Sequence, residues 1–302
     1  MTSGKLRSRL LFVHRTVALL LAPLVLVLLL SGIVLAFAPL VGDDDPPRSP
    51  VDGAKVVATL KAVDPEGSAG LLLVEPAGQV IELRARGQGV RGRFELATGQ
   101  KLPAQEEAFD LFATAERLHK GLLLGANPVM ETVAFAVLGL LLIGPFLVGR
   151  FGFKSLGQRH GSFGLLLWPL LVLPPLTGVM MILHLGEPAR PAEAPPEQRL
   201  SLARGLELAA PRLELTRLVA ARRWPSGEVL VYLAAPGGAG EETFKVSAGG
   251  EAAAFSPPRN WPHELHEGRW ASGASLLNLA AALGLLGLLA TGFASWWRRR
   301  RS

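Results

Sequence analysis

Four stretches of the chain carry no Asp, Glu, Lys or Arg: Thr16–Gly42, Thr132–Gly149, Gly161–Gly186 and Ala271–Trp297. Each is dominated by apolar residues and approaches or exceeds the roughly 20 residues a helix needs to cross a hydrocarbon core. The second is the shortest, but uncharged sequence also runs from Gly121 to Met130, interrupted only by Glu131. The pattern predicts four transmembrane helices, within residues 1–42, 118–150, 161–186 and 270–302. Pro23 and Pro169 are expected to kink the first and third, and Pro174-Pro175 to break the third further.

Two polar segments, 43–117 and 187–269, lie between these spans, and a short link, 151–160, joins the second to the third. Each polar segment opens on a Pro-rich linker, Asp45-Pro46-Pro47 or Pro188 to Pro196, followed by an amphipathic helix near Gly53–Val63 or Gln198–Ala210. Paired strand-like runs then flank turn signals, Leu71–Val74 and Gln79–Leu83 around Pro76-Ala77-Gly78, and Leu218–Ala221 and Glu228–Leu233 around Pro225-Ser226-Gly227. Further strands precede Thr98-Gly99-Gln100 and Gly249-Gly250-Glu251. Each segment therefore reads as a small α+β domain.

The two halves of the chain repeat one another. His14, Pro23, Ser31 and Gly32 recur 146 residues later as His160, Pro169, Thr177 and Gly178. Leu118-His119-Lys120-Gly121 recurs 147 residues later as Leu265-His266-Glu267-Gly268, and Gly144 recurs 148 residues later as Gly292. Unrelated apolar helices share Leu and Val; they do not share a His, a Pro and a small-residue–Gly pair in one register.

Composition agrees with membrane insertion: charged residues are 19% of the 302, against about 25% in soluble domains. The basic residues cluster at Lys5, Arg7, Arg9 and Arg15, at Arg150, Lys154 and Arg159, and at Arg298 to Arg301. With four spans all three clusters fall on one side, which the positive-inside rule makes cytoplasmic, with both termini. The pI near 10.1 is thus a topology signal; no basic stripe interleaved with aromatics points to nucleic acid. Ala36-Phe37-Ala38 resembles a signal cleavage site, yet the apolar run exceeds the roughly 7–15 residues of a signal core, so an uncleaved signal-anchor is expected. Cysteine is absent, which excludes disulfides, thiolate ligands and covalent CxxCH haem attachment.

Four of the six histidines form repeat pairs, His14 with His160 at the cytoplasmic side and His119 with His266 at the outer side. Intramembrane and bordering ionisable groups point to function by default. Imidazole is an axial ligand for haem iron, and b-type haem needs only two, with apolar helices as walls. Arg15, Arg159, Arg117 and Arg269 lie near enough in sequence to pair with propionates. The competing reading makes these interfacial histidines bonded to headgroups or backbone. His184 ends the third span and reads as an interface anchor. His263-Glu264-Leu265-His266 is one residue short of the HExxH zinc spacing, leaving at most a weak metal site with Glu267. Gly87-Gln88-Gly89-Val90-Arg91-Gly92 matches GxGxxG literally, but strand-like Arg93-Phe94-Glu95-Leu96 follows where a helix is required, so it reads as a hairpin loop. Ser31-Gly32 and Thr177-Gly178 suit close helix packing or clearance for a flat cofactor.

The motifs Leu11-Phe12-Val13-His14-Arg15, Leu118-His119-Lys120-Gly121, Arg159-His160-Gly161, Leu265-His266-Glu267-Gly268-Arg269 and Thr291-Gly292-Phe293-Ala294-Ser295-Trp296-Trp297-Arg298 resemble the PepSY-associated transmembrane family of bacterial inner-membrane proteins. The turn at Thr98-Gly99-Gln100 resembles the last strand–turn of a PepSY domain; the second polar segment has no clear Asp-Pro-x-Thr-Gly counterpart. The resemblance implies an all-α four-helix membrane bundle of two tandem repeats carrying two small extracytoplasmic PepSY-like α+β domains. It also implies two b-type haems on His14, His119, His160 and His266, with Arg15 and Arg159 beside them. Membrane quinol or a cytoplasmic donor would supply electrons, and a ferric siderophore or other iron chelate would be reduced outside. The alternative is a non-enzymatic, membrane-anchored PepSY module that binds or regulates peptidases. A proton-coupled transporter fits poorly, since the four charge-free stretches hold no Asp, Glu or Lys.

Overall fold

The computed structural model describes residues 4–41, 48–85, 90–103, 109–189, 191–236 and 240–301. The linker at Asp45-Pro46-Pro47 and the Gly87-Gln88-Gly89 portion of the glycine-rich loop lie outside these residues. The first half runs α1 (Gly4–Val41), α2 (Gly53–Val63), β1 (Ala69–Val74), β2 (Val80–Ala85), β3 (Val90–Glu95), β4 (Lys101–Leu102), α3 (Leu111–Gly121) and α4 (Asn127–Leu147). The second half runs α5 (Leu156–Leu166), α6 (Trp168–Ile182), α7 (Leu202–Ala209), β5 (Leu218–Arg223), β6 (Val229–Ala234), β7 (Glu241–Val246), β8 (Ala252–Ala254), α8 (Trp261–Glu267) and α9 (Ala274–Arg301). The order repeats element for element, with the α5–α6 pair standing where the first half has α1.

The chain forms two compact units, one of long helices and one built from the two polar segments. In the helical unit α1, α4 and α9 are each long and apolar enough to cross a membrane, and α5–α6 makes a fourth span if the bent pair counts as one. Their outward side chains are apolar: Phe12, Leu20 and Phe146 are among the most exposed, as lipid contact requires. α1 packs on α4 and α9, and the α5–α6 pair packs on the same two helices.

Of Pro23, Pro169 and Pro174-Pro175, only Pro169 stands beside a break in a helix, as expected of it. α1 continues through Pro23, and Pro174-Pro175 lies inside α6. The break falls at Leu167, two residues before Pro169, where α5 and α6 meet at 68°. Pro169 offers no N–H to the Leu165 carbonyl, and the last turn of α5 closes with the Leu167 N–H donating to Phe163 O at 3.0 Å. A second proline explains what Trp168 does at this corner. Pro145 in α4 cannot bond the Leu141 carbonyl, and Trp168 Nε1–H donates to that oxygen at 2.8 Å. The indole satisfies an acceptor that would otherwise be stranded in an apolar interior.

The polar unit holds one antiparallel eight-stranded sheet in the order β4-β3-β2-β1-β5-β6-β7-β8. The two segments, expected as two small domains, are therefore joined through β1 and β5. One core, including Leu60, Leu72, Ile81, Leu83, Leu206, Val229 and Val231, draws on both segments. Separated, each half would expose the inner edge of a hydrophobic strand and close only a small core. β2 and β3 pair antiparallel, so the strands around the glycine-rich loop form a hairpin and not a dinucleotide-binding turn.

Candidate functional site

Three of the four candidate histidines, His119, His160 and His266, lie on helices whose ends are fixed by local devices. In α3, Asp110 caps the N-terminus by accepting from Ala113 N at 3.0 Å, and the chain leaves through Leu122 in the left-handed region, just after His119. In α8, Asn260 accepts from His263 N at 3.3 Å, and Gly268 (φ 70°) turns the chain two residues after His266. A Cβ at Gly268 would lie 2.6 Å from the Ser275 backbone, so both conformation and space require glycine. Asn278 of α9 secures this end by donating to the His266 carbonyl at 2.7 Å. A capping box of Ser155 and Gln158 starts α5 just before His160.

The structure brings each histidine to its own repeat counterpart. The rings of His14 and His160 lie 6.4 Å apart by centroid, and those of His119 and His266 lie 6.1 Å apart. His119 packs on α1 beside Gly32, eighteen residues after His14. Eighteen residues are five full turns and about 27 Å of helix, so α1 meets both pairs along one face.

The glycines seat the rings. A Cβ at Gly32 would stand 3.2 Å from His119 Cε1, at Gly178 3.3 Å from His266 Cε1, and at Gly292 3.3 Å from His160 Cε1. A hydroxyl beside each glycine meets the ring nitrogen. Ser31 Oγ lies 3.1 Å from His119 Nδ1, Thr177 Oγ1 3.1 Å from His266 Nδ1, and Thr291 Oγ1 3.2 Å from His160 Nδ1. The carbonyl four residues before the glycine adds a second acceptor, Pro174 O at 3.0 Å for His266 and Leu288 O at 3.1 Å for His160. A carbonyl only accepts, so Nδ1 carries the proton and donates, and Nε2 keeps its lone pair.

His14 is the exception. Its Nδ1 is buried with no hydrogen-bond partner among the described residues. In repeat register its glycine is Gly144, beside which a Cβ would meet nothing within 4 Å, and the preceding residue is Ile143 instead of Ser or Thr.

A cavity of about 1190 Å³ within the helical unit is lined by all four histidines, Gly32, Gly144, Gly178 and Gly292, and mostly apolar side chains. Arg15 lines it, whereas Arg159 does not: its Nε donates to the Phe153 carbonyl at 2.8 Å. The guanidinium groups that accompany Arg15 are those of Arg7, Arg150 and Arg299. Of the arginines near the outer pair, Arg269 lines the cavity and Arg117 does not. His184 stands apart, exposed and 2.9 Å from Glu187. His263 Nδ1 lies 3.1 Å from Glu267 Oε1, and Glu267 Oε2 lies 2.9 Å from Arg269 Nε. Among the described residues no group of three or more His, Asp or Glu is placed to hold a metal ion, so the His263–His266–Glu267 arrangement does not form one.

A family model described as the PepSY-associated TM region matches residues 11–299, a stretch that takes in both histidine pairs. The chain belongs to the PepSY-associated TM family. Among curated proteins none matches it. As a member of a transmembrane family with several apolar helices it is a membrane protein. In this PepSY-associated protein the sequence shows the four histidines but leaves their partners open, and leaves the glycines between helix packing and clearance for a flat cofactor. It does not single out Asn278, Arg7, Arg150 or Arg299. A signal for two of the seats was present: Ser31 precedes His119 by 88 residues and Thr177 precedes His266 by 89, nearly the same offset in each repeat.

Proposed function

We propose that this protein carries two b-type haems in its helical unit, one between His14 and His160 and one between His119 and His266, and passes electrons across the bacterial inner membrane to an extracytoplasmic iron chelate of the ferric siderophore class. The observation that carries the reading is the pairing: two imidazoles sharing one iron, with metal–nitrogen bonds near 2 Å, have ring centroids about 6 Å apart. Both pairs have that spacing. Three of the four rings give up Nδ1 to neighbouring helices, the arrangement that leaves Nε2 as the ligand and fixes its direction. The cavity exceeds the roughly 300–1,000 Å³ typical of one small-molecule pocket.

The bound haems would supply one-electron Fe(III)/Fe(II) chemistry. The chain's own part is to hold the imidazoles, exclude water with apolar helix faces, and neutralise acidic groups at the basic end with Arg7, Arg15, Arg150 and Arg299. The basic flanks put the His14–His160 end and both termini at the cytoplasm, where a cytoplasmic reductant or membrane quinol has access. The polar unit then faces outward. An anchor for a peptidase-regulating module needs no imidazole pairs, which favours the haem reading over that alternative.

The test is the absorption spectrum of the detergent-purified protein, oxidised and dithionite-reduced, with haem quantified against protein. Two reducible b-type haems per chain are expected, falling to one in either His14→Ala or His119→Ala. Haem-free protein after expression with adequate haem supply would sink the reading and leave the anchor.

A further inference from the structure

The two histidine pairs are equivalent by repeat but not by environment. At the His119–His266 pair both Nδ1 atoms meet a hydroxyl, and both rings lie against a glycine. At the other pair only His160 is held in this way; His14 Nδ1 is buried and unpartnered among the described residues, with Ile143 where the hydroxyl belongs. The charged surroundings differ in the same sense. Arg7, Arg15, Arg150 and Arg299 line the cavity at the His14–His160 end, while near the other pair Asp110, Glu116, Glu131 and Glu267 line it together with Lys120 and Arg269, which pair with Glu116 and Glu267, so carboxylates outnumber cations there.

Resting on the haem reading above, we infer that the His14–His160 site has the more positive midpoint potential, set by the missing hydroxyl at Ile143 and by Ser31, Thr177 and Thr291 as positioning residues at the other three ligands. An Nδ1–H that donates to an oxygen makes the imidazole a more basic ligand, which favours Fe(III) and lowers the potential. A ring with no acceptor binds Fe(III) less well relative to Fe(II). Nearby guanidinium charge likewise favours the less positive, reduced iron, and carboxylates favour the oxidised one. Both effects have one sign, so the first electron added to the oxidised protein rests at the His14–His160 site. The couple at each site is a one-electron exchange, with the reductant a quinol or cytoplasmic donor and the oxidant the ferric chelate.

Ile143→Thr places a hydroxyl at the repeat counterpart of Thr291, whose own hydroxyl is accommodated in its helix by donating to Gly287 O at 2.8 Å. The experiment is a potentiometric titration of the haem-loaded full chain followed by visible absorption. Wild type is expected to show two one-electron steps. In Ile143→Thr the more positive step moves negative by about 59 mV, a tenfold change in oxidised-over-reduced preference, and the other stays. If that variant does not load haem, Ser31→Ala, which removes the hydroxyl at His119 Nδ1, gives the reciprocal reading, with the more negative step moving positive. Coincident steps in wild type overturn the inference, as does a shift confined to the wrong step or no shift in either variant. In those cases haem is still bound and the haem reading survives; only haem-free wild type removes both.

Discussion

The polar unit and the helical unit use the same duplication for opposite ends. In the polar unit β1 pairs with its own copy, β5. The repeat offset there is 149 residues, as Gly78 and Gly227 show, and Leu72 pairs with Ala221, its own counterpart. Leu71 with Arg222 and Leu73 with Ala220 flank it symmetrically. The copies are consumed in making one core, and neither half keeps an edge at the join. In the helical unit the copies stay distinct and meet only as side chains, His14 with His160 and His119 with His266. There the repeat tolerates differences, a 68° bend in one copy and Ile143 in place of threonine. Symmetry that builds a fold must be kept at the contact; symmetry that only brings side chains together can drift.

The largest expected effect separates the seats from ordinary packing. Gly32→Val places methyl groups where the His119 ring lies, and under the proposed haem binding should abolish haem at that pair while leaving the His14–His160 pair loaded. Gly144→Ala, which meets nothing within 4 Å, should retain both haems. Haem-to-protein ratios of the purified variants check this; equal losses would return the glycines to helix packing.

Next in size is the sheet. Leu72 is fully buried at the centre of the join, and Leu72→Ala should cost about 2–5 kcal/mol. Hydrogen exchange on the full chain in detergent reads where the loss falls. One core predicts reduced protection in β5 and β6 as well as in β1 and β2. A loss confined to the first half would restore two domains.

The sequence made visible whatever depended on a period or a repeat. Hydrophobic runs gave the spans, turn residues gave the hairpins, and register gave the four histidines. It hid what depends on contacts between distant elements. Nothing in Leu71–Val74 announces that its free edge is closed by Leu218–Arg223. At the Leu167 corner the Trp168 indole meets the Leu141 carbonyl that Pro145 leaves without a donor, a relation between residues of two helices that no local pattern records. Arg15 and Arg159 look alike in sequence, and only the path of the 151–155 link decides that one lines the cavity and the other does not.

Trp168→Phe tests that corner. Losing the indole N–H leaves Leu141 O without its donor, at a cost of about 1–3 kcal/mol in thermal unfolding of the full chain. Pro145→Ala restores a backbone N–H to the same carbonyl, so Trp168→Phe should cost less in that background. Equal costs in both backgrounds would make the indole a matter of packing alone.

The smallest effect probes how far the polar unit's symmetry extends beyond its sheet. α2 and α7 are copies that pack together, and Lys61 of α2 pairs with Glu207 of α7. The equivalent positions are Ala210 and Ala58, so the bridge exists once where symmetry would give two. The Lys61 ammonium holds the Glu207 carboxyl below its ordinary range, with Arg204 adding to the effect. A carboxyl with a lowered folded pKa contributes stability above its unfolded value, about 4.3, and loses it as pH falls through the lower folded value. Lys61→Met should therefore lower stability by at most about 1 kcal/mol at neutral pH, less in high salt, and by progressively less as the pH drops below 4. A larger loss, or one that persists in acid, would mean that the Lys61 stem packs the α2–α7 contact and that its charge is incidental.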